Sequence, residues 1–307
     1  MRAARIHEYG DADVIRCEEI PRPAPGPREV LIKVAASSFN PADIGLRSGA
    51  LRDVLHIDLP LTLGIDVSGT ITAVGSDVDT HAVGERVIAR LDRGGAMAEY
   101  VVAAADFVVQ APTTIPLTTA AVIPAAALTA WQALFDHANI TPSQRVLVNG
   151  AGGGVGVFTI QLVKHAGATV IATASRRSAA AVRKYGADQI IDYTITPVPS
   201  AVDVPVDAVV NLAAITAEAA EGLVSLVRPG GVLVSITVPV HAAADTGVAA
   251  IHMVARNDVD HLARIVELVD AGMLIVEATE THPLRDVALV HRRSESGTTS
   301  GKILIVP

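Results

Sequence analysis

The sequence predicts an α/β fold in two parts, a small β-barrel-like domain followed by a doubly wound parallel sheet. Three observations carry this. Roughly the first 110 residues are short apolar runs punctuated by glycine and proline, the texture of closely spaced strands. From Ser143 onward, strand-like and helix-like stretches alternate. A run of glycines stands between the first of those strands and the first of those helices. The 307 residues exceed one ordinary core and fit two domains. With 50% hydrophobic and 18% charged residues, the composition supports packed interiors and argues against disorder.

Taken in order, Pro21 to Pro27 can continue neither a helix nor a central strand, and Val30–Ala35 follows it as a strand. Ile71–Val74, ended by Gly75-Ser76-Asp77, and Arg86–Arg90 are further strands. The second part opens with Arg145–Asn149 as a buried strand. A helix over Val157–His165, closed by Gly167, comes next, then a strand over Ala168–Thr173. Ser178–Tyr185 is a helix with Gly186 as its C-cap. Strands recur at Gln189–Ile191, Asp207–Asn211 and Val232–Ile236, with helices at His261–Ala271 and Leu284–Arg293 and a last strand at Lys302–Val306.

The formal net charge of −8 argues against a nucleic-acid partner, whose phosphates need clustered Lys and Arg. Aromatics at 3% give no stacking platform for single strands. The most apolar stretch, Ala120 to Phe135, is broken by Pro124 and Thr129 and falls short of the roughly 20 residues of a membrane span. Cys17 is the single cysteine, which excludes an intrachain disulfide and any multi-cysteine zinc site. The N-terminus lacks an apolar signal core, and the expectation is a soluble cytoplasmic protein.

The glycine run is Asn149-Gly150-Ala151-Gly152-Gly153-Gly154-Val155-Gly156. After a strand and at the head of a helix, backbone N–H groups and the positive helix end can hold a pyrophosphate. The strict G-x-G-x-x-G pattern is absent, but Gly150-x-x-Gly153-x-x-Gly156 is present. A glycine-rich turn alone also reads as a tight connection; the strand–turn–helix–strand context favours a dinucleotide. The second strand ends in Thr173-Ala174-Ser175-Arg176-Arg177, with no acid before Asp188. An NAD site usually offers an acid there, whereas Ser175 and Arg176 could bond a 2′-phosphate. The two arginines also read as a solvated helix start, but there they oppose the helix dipole, and an anion would relieve that conflict. The reading favours NADPH.

At this point the chain resembles the medium-chain dehydrogenase/reductase superfamily, in its zinc-independent quinone oxidoreductase branch. The resemblance runs nearly end to end. It includes Met1-Arg2-Ala3, Ser38-Phe39-Asn40-Pro41-Ala42-Asp43, Gly64-Ile65-Asp66-Val67-Ser68-Gly69, Gly94-Gly95-Ala96-Met97-Ala98-Glu99-Tyr100 and Ala126-Ala127-Leu128-Thr129-Ala130-Trp131. Gly186-Ala187-Asp188, Arg228-Pro229-Gly230-Gly231 and Gly301-Lys302-Ile303 extend it. It implies a GroES-like catalytic domain over 1–120 and 275–307, and a Rossmann NADPH-binding domain over 121–274. It also implies a homodimer joined edge to edge through the Rossmann sheets, with Val232–Ile236 as the expected edge.

Zinc-dependent relatives carry Gly-His-Glu where this chain has Gly64-Ile65-Asp66, and a four-cysteine lobe that is absent here. The ten histidines form no His-x-x-x-His pair, and no metal is expected. Without a metal, hydrogen bonds and positioning must polarise the acceptor. That suffices for quinones and enones, where hydride addition gives a delocalised oxyanion. The resemblance places Asn40 and Asp43 at the catalytic centre, with Asn40 and Thr129 near the nicotinamide. Gly150, Ala151, Gly152, Gly153, Gly154 and Val155 would hold the pyrophosphate, with Ser175, Arg176 and Tyr193 at the adenine phosphate end and Ile236 beside the nicotinamide ring. Asn40-Pro41-Ala42-Asp43 equally reads as a helix start, Thr129 as a packed helix residue and Tyr193 as a strand-end residue. The expected loop from Leu46 to Leu61 would shape the pocket, and Gly45 to Leu63 offers no tyrosine as proton donor. The function expected is reduction of a small quinone or enone by NADPH. A reductase of another activated double bond (an alkenal or enoyl thioester) and a non-catalytic NADPH-binding sensor stay open beside it.

Overall fold

The computed structural model describes residues 1–52, 55 and 58–307; the expected pocket loop at 46–61 therefore falls partly outside the described residues. By its contacts the chain divides into two compact units. The first comprises Met1–Ala125, Asn257–Gly272 and Val276–Pro307, and the second Ala126–Arg256 with Met273–Ile275.

The first unit begins with β1 (Arg2–Ile6), β2 (Arg16–Glu19) and β3 (Glu29–Phe39), the last emerging from the proline-rich run. Helix α1 (Pro41–Ser48) follows, capped by Asn40, opened by Pro41 and ended at Gly49, whose φ of 79° suits a residue without Cβ. Then come β4 (Leu61–Thr62), β5 (Asp66–Val74), β6 (Arg86–Arg90), β7 (Tyr100–Ala104), β8 (Val108–Gln110) and α2 (Leu117–Ala120). Helix α3 (Pro124–Trp131) runs into a π-helical turn, Gln132–His137, that the sequence did not signal.

The second unit alternates β9 (Arg145–Asn149), α4 (Gly154–His165), β10 (Thr169–Ala174), α5 (Ala179–Lys184), β11 (Gln189–Asp192) and β12 (Val206–Asn211). It continues through α6 (Ala217–Gly222), β13 (Val227–Ser235) and β14 (Ala249–His252). Helix α7 (Val259–Asp270), β15 (Glu280–Pro283), α8 (Val287–Glu295) and β16 (Ile303–Val306) return to the first unit.

In the first unit, β3 is the central strand of a seven-stranded sheet ordered β15-β16-β3-β5-β6-β8, with β7 also on β3; β2-β1-β4 form a smaller sheet. The second unit has one six-stranded sheet ordered β11-β10-β9-β12-β13-β14, parallel throughout. In sequence terms this is the 3-2-1-4-5-6 order of a dinucleotide-binding sheet, with its switch point between β9 and β12. The predicted GroES-like and Rossmann classes are the folds observed.

One expectation is corrected. Val232–Ile236 is not an edge, because β13 is bonded on one side to β12 and on the other to β14. On that side of the sheet the outermost strand is β14, whose Ala249-Ala250 start has little strand propensity and gave no signal.

The first unit also encloses an unusual pair. Arg47 of α1 and His291 of α8 are both buried; Arg47 pairs with Glu295 through Nη2, while its Nε and Nη1 and both His291 ring nitrogens have no hydrogen-bond partner among the described residues. His291 packs edge-on against Phe39, centroids 5.0 Å apart. Burial, and then the Arg47 charge, lower its pKa from 6.5 to about 3. The folded protein therefore keeps His291 neutral where the unfolded chain takes up a proton. Its contribution is present above pH ~6.5 and is lost as pH falls toward ~3, to the extent of a few kcal/mol. His291→Leu should flatten that acid limb in a Tm-against-pH series; a variant with the wild-type slope would refute the assignment.

Candidate active site

Two sets of residues have the chemistry of a site, one in each unit. In the first, a group of polar side chains closes around Asn40 at the end of β3. The Asp43 carboxylate accepts the Asn40 N–H at 2.8 Å and the Gly64 N–H at 3.1 Å. Asp66, at the start of β5, accepts from the Ala125 N–H at 2.7 Å, Ser38 Oγ at 2.5 Å and Asn40 Nδ2 at 2.8 Å. Lys302, just before β16, donates to Asn40 Oδ1 at 2.8 Å and lies 3.4 Å from Asp66. Asn40 Nδ2 also donates to the Ser38 carbonyl.

Ser38, Asp43 and Asp66 are fully enclosed, Lys302 is 5% exposed and Asn40 keeps 9%. Buried charges must be paired and hydrogen-bonded, and these are. Burial lifts the Asp43 carboxyl to about 7. Charge counting agrees: two carboxylates share one ammonium, so a proton on Asp43 leaves the cluster neutral. Burial lowers Lys302, and Asp66 opposes that shift. Asn40 does cap α1 by position, as the helix-start reading expects, but its side chain turns away to Asp66 and Lys302. Asp66 and Lys302 had no role in the sequence reading beyond their motifs. Their signal was a charge at each mouth of an apolar strand, which demands a buried partner.

The second set lies in the parallel sheet. The glycine run leaves β9, and α4 begins at Gly154, three residues earlier than predicted, with Gly153 as N-cap and no capping side chain among the described residues. The first N–H groups of a helix have no partner within it, so this end can hold an anion. At three positions the turn also packs too closely against its own unit to take a side chain. A Cβ on Gly150, whose φ is 90°, would lie 2.8 Å from the Ala213 nitrogen. A Cβ on Gly156 would lie 2.4 Å from the Ala151 carbonyl oxygen, and one on Gly152 would lie 2.5 Å from Ser178 Oγ.

The Gly152 contact links the run to the turn after β10. There Ser178 Oγ bonds the Ser175 N–H at 3.2 Å, and the Ser178 and Ala179 N–H groups donate to the Ser175 carbonyl, both at 3.0 Å. Arg176 and Arg177 thus sit in a turn before α5 rather than in its first turn. Arg176 is exposed and makes no ion pair among the described residues. Tyr193 follows β11 with its ring exposed; Ile236 follows β13, its N–H bonded to the Asn211 carbonyl at 3.1 Å; Thr129 is half-buried in α3. Of the run Gly150, Ala151, Gly152, Gly153, Gly154 and Val155, it is Gly152 that meets Ser178, the residue closing the turn that carries Ser175 and Arg176. Asn40 and Asp43 are brought together with Asp66 and Lys302.

Among the described residues, no group of three or more His, Cys, Asp or Glu is arranged to hold a metal ion, and no helix is long and apolar enough to cross a membrane.

Residues 26–113 match the family described as alcohol dehydrogenase GroES-like domain, and residues 185–305 the one described as zinc-binding dehydrogenase. The chloroplast envelope quinone oxidoreductase homolog of Arabidopsis thaliana is 32% identical, over 100% of this chain and 98% of its own. Among solved structures, the quinone oxidoreductase from Coxiella burnetii is 30% identical and superposes with a TM-score of 0.91, covering 100% of this chain and 99% of that one. A mycobacterial protein solved as its NADPH complex is 27% identical with a TM-score of 0.89, covering 100% of both chains.

Proposed function

The chain belongs to the quinone oxidoreductase branch of the medium-chain dehydrogenase/reductase superfamily, and on that premise we propose that it transfers hydride from NADPH to a quinone or another α,β-unsaturated carbonyl compound. The observation that carries the reading is the glycine-rich turn at the head of α4, which has no side-chain cap and meets, through Gly152 and Ser178, a turn that offers Ser175 and Arg176 and no acid. A pyrophosphate would lie at the helix end, and a 2′-phosphate would meet the exposed Arg176 guanidinium. Bound NADPH supplies the hydride; the residues of the chain bind and orient. The names of the relatives, and the NADPH bound by the mycobacterial neighbour, agree with this choice.

We assign the orienting contact to Asn40, the most exposed member of its cluster, with Asp66 and Lys302 fixing its side-chain amide and Asp43 its backbone N–H. Zinc has no part in this reading. Ile65 brings no lone pair to the position where zinc-dependent relatives carry histidine, and Cys17 is the one cysteine. A homodimer would pair the outermost β14 strands of two copies.

Arg176→Ala tests the cofactor assignment. A lost charged hydrogen bond to phosphate should lower kcat/KM for NADPH roughly 10- to 100-fold, leaving the value for NADH within about twofold. Equal losses with both cofactors would remove Arg176 from the 2′-phosphate role.

A further inference from the structure

Beneath the glycine turn, a chain of buried side-chain hydrogen bonds crosses four neighbouring strands at their carboxyl ends. The Gly150 N–H donates to Thr173 Oγ1 on β10 at 2.8 Å. That hydroxyl donates to Asn149 Oδ1 on β9 at 2.9 Å. Asn149 Nδ2 donates to Asn211 Oδ1 on β12 at 2.9 Å. Asn211 Nδ2 donates in turn to Ser235 Oγ on β13 at 3.2 Å and to Thr237 Oγ1 at 3.1 Å. Thr237 Oγ1 ends the chain on the Ala213 carbonyl at 2.8 Å. Ala213 is also the residue whose nitrogen a Cβ on Gly150 would strike at 2.8 Å. The chain therefore leaves Gly150 and returns to the backbone that Gly150 packs against.

Every link runs from donor to acceptor in one direction, and both amides are used at both ends. Asn149, Thr173, Asn211 and Ser235 are all buried, with exposures of 6%, 1%, 0% and 0%. Four polar side chains in the interior of a parallel sheet weaken its apolar packing unless each is satisfied. Here all are satisfied, and by one another. Glycine is the residue with the most conformations to lose, so an ordered turn gains from this tie at Gly150.

We propose that Thr173, Asn149 and Asn211 are positioning residues for the dinucleotide, holding the glycine turn in its binding conformation before the ligand arrives. The inference rests on the NADPH reading above. Thr173 is the decisive link, because its one hydroxyl both receives the Gly150 N–H and orients Asn149. It also takes the Gly150 N–H away from the ligand, which leaves phosphate binding to the amides further along the run. A turn that must be ordered during binding loses affinity; one ordered in advance does not.

The test is a calorimetric titration of the purified full chain with NADPH and with 2′-AMP, alongside thermal melts. 2′-AMP carries the 2′-phosphate that Arg176 would meet but no pyrophosphate. Thr173→Val, close in shape but without the hydroxyl, should raise the Kd for NADPH about tenfold and that for 2′-AMP less than about twofold. Thr173→Ser restores the hydroxyl and should bind NADPH within about threefold of wild type. Should Thr173→Val fail to fold, Thr237→Val opens the far, half-exposed end of the chain and should weaken NADPH about threefold with no change for 2′-AMP. Wild-type NADPH affinity in a folded Thr173→Val or Thr237→Val protein overturns the positioning role. So does equal loss of both ligands, or a Thr173→Ser protein as weak as Thr173→Val. If the wild-type chain binds no NADPH, the cofactor reading itself fails, a result separate from all of these.

Discussion

Gly156→Ala is expected to raise the Kd for NADPH at least about 100-fold and to lower Tm by roughly 5–10 °C. The added Cβ would stand 2.4 Å from the Ala151 carbonyl oxygen and 2.6 Å from its carbonyl carbon and Cα. Those atoms are backbone, so no side chain can swing aside; either α4 or the turn must move. An overpacked contact of this kind costs about 1–3 kcal/mol or more, which accounts for the fall in Tm. The larger loss in binding follows because the movement separates the head of α4 from the turn, and the anion-holding amides belong to both. Gly153→Ala is the control. Its Cβ would meet only the Gly150 carbonyl oxygen at an ordinary 3.5 Å, and Gly153 has φ −87°, open to any residue. Its Tm should stay within about 2 °C of wild type. A Gly156→Ala protein that melts and binds NADPH as wild type does would show that the turn is not packed as described.

Lys302→Met is expected to be the most destabilising change in the first unit, at about 3–5 kcal/mol near neutral pH. Methionine matches the stem of lysine but leaves two enclosed carboxylates, Asp43 and Asp66, without their cation, and the Asn40 Oδ1 without its donor. The penalty should shrink as pH falls. Asp43 is already lifted to about 7 by burial, so acid protonates it and leaves only the Asp66 charge uncompensated instead of two. The sign is opposite to that of His291. A group raised in the folded state contributes stability below its unfolded value, lost as pH rises through the folded one. Melts of wild type and Lys302→Met at pH 5 and pH 8 should differ less at pH 5. An equal or larger difference at pH 5 would mean that Lys302 is not balancing the carboxylates.

The parts of the fold legible in the sequence were those with a local cause. β6 and β9 have the predicted bounds because each is an apolar run closed by turn residues. The position of the glycine run between β9 and α4 was legible for the same reason. The start of α4 was not, since Gly154 and Gly156 are poor helix formers, and Gly156 packs directly on the Ala151 backbone. β14 begins with two alanines and is a strand only because β13 offers it a partner. The Asn40 cluster depends on Asp66 meeting Lys302 across most of the chain, and no local pattern encodes that pairing. Thr173, Asn149 and Asn211 looked like ordinary strand ends. Their adjacency follows from the strand order β10-β9-β12, which is a property of the whole sheet.

The most direct measurement is the rate at which the purified, chelator-treated protein oxidises NADPH with 1,4-benzoquinone or 9,10-phenanthrenequinone, with NADH in parallel. Turnover with NADPH that exceeds turnover with NADH, undiminished by the chelator, is the predicted result. Tight NADPH binding with no oxidation by any acceptor would contradict the enzymatic reading and favour a sensor, and a preference for NADH would contradict the assignment of Ser175 and Arg176.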